Sequence, residues 1–303
     1  MLRKYLTKNK IILTVLCLAI SLFLAHFSIA QDTAPKPKPK MGFNPFQMDP
    51  RAKEMSYHFK DTNKDLKYGL FVSSKVSKNK KAPLIVTLHG LGVGFQIMLS
   101  KQAVDLAEEG GYILVGPMGY NERGWYGMPF RRPEGKTPPK RAQTGNNAAP
   151  KPKGSMFSNP NDPPNLQELS EKDVMNVLDI VRREYNVDEN RIYLMGHSMG
   201  GAGTLYLGTK YPSTWAALAP IAPAAFGIEP DRLEKIKNMP VLFVHGGADE
   251  LVPVDISRRW AQKAKELGMT YEFNEMEGLG HGPIIMASLP SVYEFFSNHS
   301  KSK

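Results

Sequence analysis

Cysteine is almost absent. The 303-residue chain carries one, Cys17, inside its first apolar stretch. A chain cut after that stretch would hold none, which excludes a disulfide framework and a thiol nucleophile. Export to an oxidising compartment is compatible with that lack, because a chain of this length can fill a core without covalent staples. Acidic residues are also in deficit: 29 Asp and Glu stand against 39 Lys and Arg, for a formal charge of +10. Much of the excess lies in solvated Pro/Lys stretches, "APKPKPK" and "KTPPKRAQTGNNAAPKPKG". No basic patch is interleaved with aromatics, so nucleic acid is not an expected partner; the charge suits solubility or loose attraction to an anionic surface. An internal repeat and a phosphate loop are missing too, since "HGLGVG" lacks the lysine and helix context. The Asp, Glu and His spacings give no metal site, and no cofactor is expected.

What is present begins with a leader. Arg3, Lys4, Lys8 and Lys10 precede an uncharged, mostly apolar run from Ile11 to Phe27, and Ser28-Ile29-Ala30 gives a small-x-small pattern before Gln31. This layout predicts a secretory signal peptide over residues 1–30, and so a periplasmic or extracellular protein with no stable membrane span after cleavage. At about 17 residues the run also reaches the lower limit for a span, so an uncleaved membrane anchor is the alternative. Leu16, which is not a small residue, precedes Cys17 and argues against lipidation. Residues 31–54, rich in Pro, Lys and Met, read as a flexible linker.

A catalytic domain is expected over residues 55–300. "MSYHF" and "YGLFVSSKV", separated by "TNKD", suggest an antiparallel hairpin. After it, continuous apolar runs such as "APLIVTLHG", "YILVGPM", "RIYLMGHS", "WAALAPIAP" and "VLFVHGGAD" read as strands buried on both faces. "TYEFNEMEG" adds another strand. Helical patterns lie between them, in "SKQAVDLAEEGG" and in "LSEKDVMNVLDIVRREY", where Ser170 can cap the start and Val174, Val177, Leu178 and Val181 share a face. "PIIMASLPSVYEFFSNH" closes the chain as a helix with an expected kink at Pro290. The alternation predicts an α/β fold: a mostly parallel sheet with antiparallel N-terminal edge strands and helices on both faces. Residues 119–166 break the rhythm and are too long for a simple connection, so they read as an insertion or lid.

Gly196-His197-Ser198-Met199-Gly200 matches G-x-S-x-G between a strand and a helix. That context puts the serine in a strained turn with its hydroxyl standing clear of the sheet, and the flanking glycines remove Cβ atoms that would collide there. A serine needs a base. His26 lies in the leader, His58 precedes the parallel strands, His299 is in the tail, and His197 sits inside the turn. His89 and His245 end strands. His281, in "GLGHG" after the last strand, is placed to reach Ser198. The base in turn needs an acid. Asp249 stands first off the strand in "VLFVHGGADELVP", ahead of Glu250 and Asp255. The order Ser198, Asp249, His281 is that of α/β-hydrolases. Oxyanion donors are expected from the backbone N–H of Met199 and from that of Leu91, in the loop after "LIVTLHG". Tyr120, Trp125 and Tyr126 follow "YILVGPM" and could line a substrate pocket or anchor the long loop.

"LHGLG", "DENRIYLMGHSMGGAGTLYL", "VHGGADELVP" and "GLGHG" together resemble the secreted α/β-hydrolase serine esterases. That group contains polyhydroxyalkanoate depolymerases, feruloyl and acetyl-xylan esterases and related predicted serine peptidases. The resemblance covers about residues 55 to 298. It implies hydrolysis of a small-molecule or polymeric ester through an acyl-enzyme, with Ser198, Asp249 and His281 as triad. The chain departs from the group's frequent cysteine near the first oxyanion loop, having Leu91 there. A serine peptidase of the prolyl-oligopeptidase-like type and a non-catalytic binding module on the same scaffold are the alternatives. The sequence assigns neither the acyl and alcohol groups nor an oligomeric state.

Overall fold

The computed structural model describes residues 47–129 and 159–301. The expected leader, most of the linker and the middle of the insertion lie outside the described residues. Within them, eight strands form one sheet: β1 (Lys53–Phe59), β2 (Lys64–Val72), β3 (Ala82–Leu88), β4 (Ile113–Pro117), β5 (Val187–His197), β6 (Ala217–Ile221), β7 (Val241–Gly246) and β8 (Tyr271–Met276). Their spatial order is β1-β2-β4-β3-β5-β6-β7-β8. β1 pairs antiparallel with β2, and β2 with β4. All later pairings are parallel.

The strand sequences explain this arrangement. Every residue of β3, β4, β6 and β7 is buried, as parallel strands covered on both faces require. β1 alternates exposed and half-buried positions up to buried Phe59, because it lies at the edge. Along β3, Leu84, Val86 and Leu88 enter one core while Ile85 enters the other. The first core takes its helices from α2 (Leu166–Glu184), α3 (Met199–Lys210) and α4 (Asp255–Glu266). The second takes α1 (Lys101–Gly110) and α5 (Ile284–Ser297). Helices therefore cover both faces. Ser100 caps α1 by accepting from the Ala103 N–H, and Gly111 ends it at φ 71°, a left-handed cap that favours glycine. Pro290 lies inside α5. Among the described residues no helix is long and apolar enough to cross a membrane.

Two expectations need correction. The chain is already packed before residue 55: the Asp49 N–H donates to the Leu99 carbonyl at 2.9 Å, and Ala52 is buried. Nor does Ser170 cap α2. The helix starts at Leu166, and buried Ser170 accepts the Tyr126 N–H at 3.0 Å instead. Its oxygen serves the loop that crosses the helix, not the helix's own first turn. Val174, Val177, Leu178 and Val181 do face the sheet.

One turn further along α2, Asp173 is fully buried. It accepts the Tyr57 hydroxyl of β1 at 2.6 Å and the Tyr120 N–H at 3.0 Å. The carboxylate thus ties the edge strand and the loop after β4 to one helix. Burial pushes its pKa up to about 6, with the donors from Tyr57, Tyr120 and Gly119 offsetting part of that rise. Because the folded value exceeds the unfolded one, this group's stabilising effect is full below about pH 4. It falls as pH rises to about 6, by ~3 kcal/mol at most. Asp173→Asn removes that slope. The melting-temperature difference, variant minus parent, should therefore climb by several degrees between pH 4 and pH 7. A difference that is constant with pH would refute the buried charge.

Candidate active site

The parallel strands all end on one rim, and the expected residues gather there. Ser198 stands alone between β5 and α3 at φ 58°, ψ −114°. A non-glycine residue in that region carries strain of ~1–3 kcal/mol and persists only where its surroundings fix it. Three backbone hydrogen bonds do so. The Ser198 N–H donates to Ile221 O at 2.9 Å, and the Ser198 carbonyl accepts from Ala202 and Ala224, each at 3.0 Å. Two glycines are obligatory. A Cβ at Gly196 would lie 2.4 Å from the Gly200 oxygen, and one at Gly200 would lie 2.1 Å from Leu88 O. The turn can close only while the end of β3 touches the first turn of α3.

His281 lies in the loop between β8 and α5. Its Nδ1 is 2.7 Å from Asp249 Oδ2. Asp249 follows β7 and is fully buried in its side chain. Its Oδ1 accepts the N–H groups of Leu251 and Val252, each at 2.9 Å. His245 Nε2 lies 3.3 Å from Oδ2. Burial alone would raise the Asp249 pKa, but hydrogen bonds from His245, His281 and Val252 outweigh it and hold the carboxyl below the usual range. The carboxylate is ionised and its lone pairs are occupied, which fixes the His281 ring with Nδ1–H toward the acid and Nε2 turned away from it. The competing acids stand elsewhere: Glu250 is exposed, and Asp255 pairs with Arg258 at the surface.

The elbow and the loop that carries His281 meet through His197. Its ring is buried, its Nε2 is 2.8 Å from the His281 carbonyl oxygen, and the two imidazoles are 4.5 Å apart at their centres. The loop after β3 closes the other side. A Cβ on Gly90 would sit 3.6 Å from Ser198 Cβ, so the Gly90–Leu91 backbone borders Ser198. Met199 is the first residue of α3, where an N–H has no partner four residues back. The Leu91 side chain packs on the core below.

The aromatic trio divides. Tyr126 has no exposed surface, and its hydroxyl donates to the His89 carbonyl at 3.1 Å. Trp125 is likewise buried. Neither forms an open pocket wall; both anchor the loop to α2 and α3. Tyr120 is only half-buried, with its ring against Phe59. All three have positive φ, 65° for Tyr120, 55° for Trp125 and 51° for Tyr126, a conformation unusual for bulky residues. Val93 and Leu251 are the exposed large hydrophobics among the described residues, and they stand on the loops after β3 and β7. The rim is therefore partly apolar.

Sequence reasoning placed His89 and His245 at strand ends and His197 in the turn but assigned none of them a role. His89 is buried with ring nitrogens 2.8 Å from the carbonyls of Gly90 and Met118, and burial pushes its pKa down. His245 Nδ1 lies 2.7 Å from Ser257 Oγ and its Nε2 lies 3.0 Å from Val252 O. A signal existed: His89, His197 and His245 each close an apolar strand, where a polar side chain must find a partner among loop backbones. Among the described residues no cluster of His, Cys, Asp or Glu could hold a metal ion.

Comparison with known proteins agrees with this architecture. Residues 160–300 match the family model described as Phospholipase/Carboxylesterase. Carboxylesterase SOBER1 of Arabidopsis thaliana is 34% identical over 113 residues, 36% of this chain and 50% of that protein. A bifunctional acetylxylan esterase/xylanase, XynS20E, of Neocallimastix patriciarum is 34% identical over 80 residues, 26% of this chain and 11% of that protein. The chain thus spans half or less of the length of these relatives. Among solved structures, the ferulic acid esterase AmCE1/Fae1A from Anaeromyces mucronatus superposes with a TM-score of 0.58 at 19% identity, covering 82% of this chain and 90% of that one. A thermostable esterase gives 0.57 at 24% identity, covering 83% and 64%.

The close approach at the elbow makes a sharp prediction. Gly200→Ala should cost more than ~4 kcal/mol, since its methyl meets backbone and no side chain can yield. Gly282→Ala, where a Cβ meets nothing within 4 Å, should shift the melting temperature by no more than a few degrees. Equal shifts in the two variants would contradict the packing at the elbow.

Proposed function

The chain is an α/β-hydrolase related in sequence to carboxylesterases, and from that premise we propose that it hydrolyses carboxylic esters through a serine acyl-enzyme. The observation that carries the reading is the convergence of three chain-distant residues on one rim. Half-buried Ser198 occupies a strained turn, and His281 is held by a buried Asp249 side chain at 2.7 Å beside that turn. Buried carboxylate, oriented imidazole and hydroxyl form the set that converts an unreactive serine into a nucleophile.

In this mechanism Ser198 Oγ attacks the ester carbonyl while His281 Nε2 takes its proton. Asp249 keeps Nδ1–H directed at itself and stabilises the imidazolium that forms. Negative charge on the carbonyl oxygen is met by the N–H groups of Met199 and Leu91, which need no reorganisation because a helix start and a packed loop hold them. His281 then protonates the leaving alcohol. Water attacks the acyl-enzyme by the same route in reverse. Val93 and Leu251 at the rim suit an acyl or alcohol part with apolar surface. The basic, apolar leader supports an exported protein.

Ser198→Ala should lower hydrolysis of short p-nitrophenyl esters by at least ~10⁴ while leaving the melting temperature within a few degrees of the parent. It should also abolish labelling by a fluorophosphonate probe. Substantial turnover in the variant, or labelling at another residue, would overturn the assignment. Peptide p-nitroanilides assayed alongside should give much lower kcat/KM than the esters.

A further inference from the structure

We infer that His197, the residue before the nucleophile, is a positioning residue that clamps the main chain of His281 and so sets the distance between base and serine. The inference rests on the proposed serine mechanism. It starts from how weakly the base loop is otherwise held. His281 lies in Gly278-Leu279-Gly280-His281-Gly282, where added Cβ atoms at Gly278 and Gly282 would meet nothing within 4 Å and one at Gly280 only a carbonyl at 3.7 Å. The chain at Gly278 and Gly282 thus has open space around it and is conformationally permissive, while Leu279 and Gly280 lie against Gly246. Its ends are secured: the Ala248 N–H donates to Leu279 O at 3.0 Å, and the Ile285 N–H donates to Gly282 O at 3.2 Å. At His281 itself two hydrogen bonds remain, the side chain on Asp249 and the carbonyl on His197 Nε2 at 2.8 Å, beside the contact of the two rings.

Those two contacts do different work. The Asp249 bond orients the ring but leaves its backbone free to swing about that bond. The His197 bond fixes the backbone from which the ring extends. His197 is well placed for this, because it belongs to the strand end that carries Ser198. The clamp therefore ties the base to the same rigid element as the nucleophile. The ring also faces the oxyanion loop: an added Cβ on Gly90 would lie 3.4 Å from His197 Nδ1. One imidazole thus borders all three parts of the site. Burial, reinforced by the nearby His281, pushes the His197 pKa down to about 3. At neutral pH the ring adds no positive charge 4.5 Å from the imidazolium that catalysis creates on His281.

A glutamine side chain can place its amide N–H near the position of Nε2, whereas phenylalanine keeps the ring and loses the donor. His197→Phe should lower kcat for p-nitrophenyl esters by about 10², with KM within a factor of about three, because the substrate's binding surfaces stay in place while the base is misplaced. His197→Gln should recover at least about a tenfold part of that loss. Hydrogen exchange across residues 278–282 should quicken in His197→Phe and not in His197→Gln. His197→Leu replaces the phenylalanine variant if that one does not fold. Parental kcat in the donorless variant, a loss carried entirely by KM, or no recovery by glutamine would overturn the clamp. The exchange measurement separates this inference from the proposed function. If the parent hydrolyses no ester, unchanged exchange in His197→Phe still refutes the clamp, and quickened exchange upholds it.

Discussion

The backbone contact between the end of β3 and the first turn of α3 is the constraint on which the site depends. Leu88 O and Gly200 approach so closely that no side-chain carbon fits between them. That contact exists because β3 and β5 are neighbours in the sheet, and it sets the turn that forces Ser198 into positive φ. The same adjacency brings Gly90 alongside the serine. The strained turn at Ser198 and the approach of the first loop are therefore one geometric fact. The remaining components arrive from β7 and β8 on the opposite side, and they are joined to the elbow through His197, by its bond to the His281 carbonyl and by the contact of the two rings.

This division explains what could be read in the chain beforehand. The sheet was legible because fully buried strands are written as unbroken apolar runs, and the elbow because glycine at 196 and 200 is a steric necessity. Asp249 and His281 were legible by position, each just past a strand. The polar supports were not. His89, His197 and His245 act on carbonyls of Met118, His281 and Val252, up to 84 residues distant, and a backbone carbonyl has no sequence signature. Ser170 misled for a related reason. A hydroxyl near a helix start reads as a cap, yet its partner is an N–H contributed by residue 126. Trp125 and Tyr126 could be read as pocket or anchor, and only the loop's left-handed backbone turns them inward.

A second pattern concerns where charge is buried. Asp173 and Asp249 are both enclosed, but their surroundings act in opposite directions. Asp249 receives four donors and remains an anion, which a histidine partner requires. Asp173 receives fewer, and burial dominates. It serves as a junction for Tyr57, Tyr120 and α2. Deeper burial with fewer donors raises one carboxyl's pKa, while shallower burial with more donors lowers the other's.

The connection from Pro117 at the end of β4 to Leu166 at the start of α2 also bears on how the chain tolerates change in length. The first end is secured by Asp173 and Ser170 of α2 and by Met118 on His89, and it holds the far end through Asn121 and Arg123, which donate to Asp162. Lengthening a connection whose ends are already fixed costs only about 0.6 kcal/mol per doubling in closure entropy. New residues can therefore accumulate beside the rim without loosening β3 or the elbow. The kinetic consequence runs the other way. β3 cannot acquire its β5 neighbour until about a hundred residues have followed it, so each insertion there delays the pairing that creates the turn at Ser198.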